Sequence, residues 1–123
     1  MRRPAGASRP GARERTLPRW QPAADVVETG ESYFLALDVP GVPREAFDLR
    51  ITRQTLRVRG VRPPVGTDER AHHLERPVGP FERSFTFPRP IDPDRVVAHY
   101  EHGVLRVMVP KAAEARARRI RVS

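Results

Sequence analysis

From Asp25 to Pro110 the chain runs in short alternating stretches, each fenced by proline or glycine. Successive side chains of a strand point to opposite faces, so this period places one face on a core and the other in water. Phe47, Leu49 and Ile51 share a face, opposite Asp48, Arg50 and Thr52. Leu56 and Val58 alternate with Thr55, Arg57 and Arg59. Phe81, Arg83, Phe85 and Phe87 alternate with Glu82, Ser84 and Thr86, and Leu105, Val107 and Val109 with Val104, Arg106 and Met108. With Asp25–Glu28, Ser32–Asp38 and Arg95–Tyr100 the runs give about seven strands. The expected fold is all-β, an immunoglobulin-like antiparallel β-sandwich.

Proline offers no N–H to a ladder and is excluded from central strands, so its positions test the division. Pro40, Pro43, Pro63, Pro64, Pro77, Pro80, Pro88, Pro90, Pro93 and Pro110 are all expected in joints. Thr29-Gly30 and His102-Gly103 sit where tight hairpins are needed. The longest joint, Arg62 to Val78, has 17 residues, and an unstructured loop of that length usually has a function. Its middle, Ala71, His72, His73, Leu74, Glu75 and Arg76, has the character of an additional strand. A strand on a projecting loop lacks a partner in its own sheet, and pairing with another subunit's edge is the natural outcome.

The length of 123 residues fits one ordinary domain, expected over residues 25–110. Residues 1–24 carry four prolines, two glycines and almost no apolar periodicity, and are expected to form a disordered arm. Leu17 and Trp20 are its exceptions, able to touch either the domain or a client. Residues 111–123 are expected to be a flexible tail, whose helix-friendly stretch Ala112 to Arg119 has no apolar stripe to dock and is too short to hold alone.

The formal net charge of +8 suggests nucleic acid until it is divided by segment. The first arm has six arginines against Glu14, the tail has Lys111 and four arginines against Glu114, and the middle has 12 arginines against 13 acids. The expected folded part is near neutral, whereas a dedicated nucleic-acid domain concentrates positive charge on its folded surface. Nucleic-acid binding by the arms is therefore a minor reading. No cysteine is present, which excludes disulfides, cysteine zinc sites and thiol nucleophiles. No apolar run has the length of a signal peptide or a membrane span, and the expected location is the cytoplasm.

No catalytic constellation emerges, and neither an enzyme activity nor a cofactor is expected. The eight glycines are scattered and the sole lysine lies outside any Walker pattern. Ser8, Ser32, Ser84 and Ser123 lack a nucleophile-elbow context. His72 and His73 lie near Glu69 and Glu75, but neighbours on a strand point to opposite faces and chelate poorly, so no metal is expected. Asp92 and Asp94 flank Pro93, where carboxylates cap turn amides. In the tail, Ile120 and Val122 flank Arg121 and project from the same side of an extended segment. Such a peptide can add to a sheet edge and fill two adjacent pockets; packing on its own domain or remaining free are the alternatives.

In order along residues 20 to 122, these blocks resemble the α-crystallin domain of the small heat-shock protein family. They are Pro22 with Asp25-Val26-Val27-Glu28, Asp38-Val39-Pro40-Gly41-Val42, Leu56-Arg57-Val58-Arg59-Gly60, Glu75-Arg76, Gly79-Pro80-Phe81-Glu82-Arg83-Ser84-Phe85, Phe87-Pro88, Ala98, His102-Gly103-Val104-Leu105, Val109-Pro110-Lys111 and Ile120-Arg121-Val122. The resemblance implies an ATP-independent holdase that binds partly unfolded client proteins and assembles with itself. It implies dimers built by exchanging the loop strand Ala71 to Arg76, with Arg83 supporting the dimer region. It also implies that Ile120 and Val122 of one chain enter a groove of another near Leu49, Ile51, Val96 and Ala98. His72-His73 stand where the family commonly has an aromatic residue, and the N-terminal arm is short and without phenylalanine. A co-chaperone-like interaction adaptor, built on a related sandwich without the tail plug, is the alternative.

Overall fold

The computed structural model describes residues 20–64 and 75–115. Seven strands are described: β1 (Ala24–Glu28), β2 (Ser32–Asp38), β3 (Asp48–Thr52), β4 (Thr55–Arg62), β5 (Gly79–Thr86), β6 (Val97–Glu101) and β7 (Val104–Pro110). They form two antiparallel sheets, one of four strands in the order β1-β2-β7-β6 and one of three in the order β3-β4-β5. The protein is an all-β sandwich, as the alternation requires.

The inner faces follow the two-residue period. Tyr33, Leu35 and Leu37 from β2 and Leu105, Val107 and Val109 from β7 meet Leu56 and Val58 from β4 and Phe81 from β5, all buried. The chain crosses between the sheets twice. Val39 and Val42 are buried on the first crossing and Phe87 and Ile91 on the second, so both links are part of the core. Each crossing carries a 3₁₀ turn, at Arg44–Ala46 and Pro93–Arg95, and Asp92 caps the second by accepting from Asp94 N–H.

Two backbone positions explain their residue types. At the β6–β7 hairpin His102 and Gly103 have φ of 56° and 76°, the paired left-handed conformation whose twist matches a hairpin. Gly60 in β4 leaves room for the Phe81 ring, because a Cβ there would lie 2.5 Å from Phe81 Cζ. The Thr29-Gly30 hairpin is closed by its threonine, whose hydroxyl accepts from Glu31 and Ser32 N–H at 3.2 and 3.0 Å.

Two prolines depart from the expectation that all lie in joints. Pro80 is the second residue of β5, an outer strand of the small sheet, and Pro110 is the last residue of β7. An outer strand needs only one side of its ladder, and a strand end has completed it, so both sites tolerate the missing donor. The expected boundaries of the domain also shift outward. β1 begins at Ala24, and Trp20 bridges Phe81 in parallel. At the other end Lys111 is buried, bridges Ile91, and leads into a 3₁₀ turn at Ala113–Ala115 in place of the start of the helix candidate.

Candidate functional site: the two seams of the sandwich

A sandwich of two open sheets has two lateral seams where edge strands lie one above the other. Here β3 and β6 border one seam and β1 and β5 the other. In the first, Phe47 just before β3 and Leu49 on it face Ala98 and Tyr100 of β6 across a cavity of about 190 Å³, with buried Leu105 also in its lining. The Phe47 and Tyr100 rings meet edge-on at 4.9 Å. Tyr100 is fixed by its hydroxyl, which donates to Val39 O at 2.8 Å, and by Arg44, which donates to Tyr100 O at 3.1 Å. The result is a short apolar groove with rigid aromatic walls and a partly open mouth.

Of the four residues expected to accept the tail, Leu49 and Ala98 line this cavity together. Ile51 lies further along β3 and Val96 at the foot of β6, and both pack against the core. Phe47 and Tyr100 were not singled out as groove residues, although they continue the same faces at a spacing of two. Ile120 and Val122 lie outside the described residues, as do Leu17, Ala71, His72, His73 and Leu74.

The second seam joins β1 to β5. Val26, Glu28 and Tyr33 face residues 84–88 across a cavity of about 420 Å³. Arg83, half-buried on β5, donates to Pro22 O at 2.8 Å and lies 5.0 Å over the Phe85 ring. It therefore ties the segment before β1 to the edge of the small sheet. Trp20 is engaged by its own domain, its ring tilted against Phe81 with centroids 5.2 Å apart and its Nε1 donating to Gly79 O at 3.2 Å.

Below Trp20 lies a buried cation that the alternation does not reveal. Arg62 is 6% exposed, its guanidinium 4.2 Å from the Trp20 ring, and it donates to Pro40 O at 2.9 Å and Pro77 O at 2.7 Å. Burial pushes its pKa below the usual arginine value, and nearby Arg76 adds to the effect. Two carbonyls and an aromatic face replace its water. The contacts join the loop after β2, the arm before β1 and the end of the long joint. Glu75 and Arg76, the last two residues of the expected loop strand, are exposed.

The tail leaves from a similar anchor. Lys111 donates to Glu28 Oε2 and to Thr29 O, both at 2.7 Å, and lies 5.3 Å over the Tyr33 ring. Among the described residues no group of three or more metal-binding side chains is assembled, and no helix is long and apolar enough to cross a membrane.

Residues 25–123 match the model of the Hsp20/alpha crystallin family. The chain belongs to that family. It is 38% identical over 100 residues to the 18 kDa heat shock protein of Streptomyces albus G, covering 80% of this chain and 70% of that protein. It is 33% identical over 99 residues to the 18 kDa antigen 2 of Mycobacterium avium, covering 80% and 72%. Among solved structures, heat shock protein 16.0 from Schizosaccharomyces pombe superposes with a TM-score of 0.73 at 27% identity, covering 85% of this chain and 98% of that one. A small heat-shock protein from Xylella fastidiosa superposes with 0.71 at 30% identity and the same coverage. Membership identifies the sandwich as an α-crystallin domain and supports a chaperone role, in a family of chaperones and not of enzymes.

Proposed function

We propose that this small heat-shock protein is an ATP-independent holdase that works as a homo-oligomer, capturing partly unfolded proteins and keeping them from aggregating. The observation that carries the assembly is the groove between β3 and β6. Leu49 and Ala98 line a cavity of about 190 Å³ at a seam, a size suited to small branched side chains. Ile120 and Val122 supply two such side chains on one side of an extended segment. The tail of one chain fills the groove of another, and the Lys111 anchor sets the point from which it departs. Dimers form beforehand through the loop strand Ala71 to Arg76, with Arg83 holding the β1–β5 seam to which that strand is delivered. Trp20 packs on its own domain, and Leu17 is the arm residue assigned to client contact. The working location is the cytoplasm.

Native mass measurement of the full chain tests this. Wild-type protein gives an assembly larger than a dimer, and Ile120→Ala with Val122→Ala reduces it to dimers with the sandwich folded. An unchanged mass contradicts the plug and favours an adaptor that binds one defined partner.

A further inference from the structure

The four-stranded sheet turns one face to the core and the other to solvent, and the outer face is not uniformly polar. The register places Val27 of β1 opposite Phe34 of β2, Phe34 opposite Met108 of β7, and Met108 opposite Val97 of β6. Residues directly opposite one another share a face. These four therefore form one unbroken apolar row across the whole sheet, about 14 Å from end to end at the usual strand spacing. Val27, Phe34 and Val97 are 56%, 42% and 55% exposed, and the row borders a shallow groove of about 440 Å³. The neighbouring row, Asp25, Ala36, Arg106 and His99, carries charge of both signs along the same groove.

We propose that this row is a capture surface for short apolar segments of unfolded polypeptide, separate from the two seams. The assignment rests on the holdase reading and specifies a surface that serves it. The area argues against a second copy as occupant. The row exposes at most a few hundred Å², whereas a stable dimer covers roughly 800 Å² on each partner. The chemistry argues for a client of no fixed sequence. The backbone of inner strands β2 and β7 is already paired on both sides, so the face offers apolar contact without a hydrogen-bonding register. Met108 is flexible and polarisable and adapts to varied side chains. Asp25 and Arg106 beside the row give no preference for acidic or basic segments. Binding of this kind is weak at one site and gains strength by repetition around a homo-oligomer.

The test uses the full chain with Phe34→Ser and Val97→Ser, compared with wild type and with Val61→Ser, which removes a side chain 48% exposed on the other sheet. The quantity measured is the ratio of subunits to heat-stressed client that halves light scattering, alongside native mass and unfolding midpoint. The double substitution is expected to raise that ratio roughly threefold or more, through loss of apolar contact, while mass stays unchanged and Val61→Ser behaves as wild type. If the pair lowers the unfolding midpoint, Val97→Ser alone on edge strand β6 provides the same reading. Wild-type suppression that the substitutions leave intact overturns the capture row alone. A fall in mass with the substitutions shows an interface between copies and also overturns it. Absence of suppression by wild type overturns the holdase reading and the row together.

Discussion

Gly60 and Phe81 show how a single side chain decides the packing of two strands. Gly60 and Phe81 are paired neighbours on β4 and β5, and the ring occupies the space a Cβ would need at 2.5 Å. Gly60→Ala must displace the ring, which packs between strands against Trp20 and Phe47. The expected cost is about 1–3 kcal/mol, the usual range for overpacking a filled core, read as a lower urea midpoint with an unchanged slope. Gly60 is visible in the sequence, but its reason is not, because the ring that needs the space lies 21 positions away. Arg62 was hidden for a related reason. It ends an R-x-R-G-V-R run that reads as solvated charge, yet Pro40, Pro77 and Trp20 enclose it. Those partners come from separate loops, which no local period can bring together.

At the scale of elements, the legible features are those fixed by neighbours in the chain. Ser32–Asp38 is a strand with the expected bounds because its apolar run Tyr33 to Leu37 lies between Gly30 and Pro40. Pro80 was placed in a joint because the sequence does not say which strands are outer ones, and β5 is one of them. The β3–β6 groove was partly legible, since Leu49 and Ala98 each belong to an apolar face. That Phe47 and Tyr100 wall it depends on which strands border the same seam. The row of Val27, Phe34, Met108 and Val97 was not legible, because it exists only in the register of four strands. The groove reading makes a prediction independent of the tail. Ala98 is exposed on edge strand β6, so Ala98→Trp fills the groove at little cost to the core. Its native mass is expected to fall to that of the tail variant, and a mass equal to wild type counts against the groove.

For the whole molecule, the near-neutral middle of the chain and the strongly positive ends belong to different tasks. In the proposed function the sandwich supplies seams and a face for contact with other chains, and the arginine-rich ends add charge that favours solubility. The family assignment covers residues 25–123, a span that includes the sandwich and the segment carrying Ile120 and Val122. Catalysis has no part in such a mechanism. A holdase needs only apolar surface, many copies of it and no energy source, because it binds the client and does not refold it. The most direct measurement is light scattering from a heat-stressed client with the full chain present and nucleotide absent. Suppression that grows with the ratio of subunits to client, and that added ATP leaves unchanged, is the predicted result; aggregation proceeding as in buffer at a several-fold excess of subunits would contradict the account.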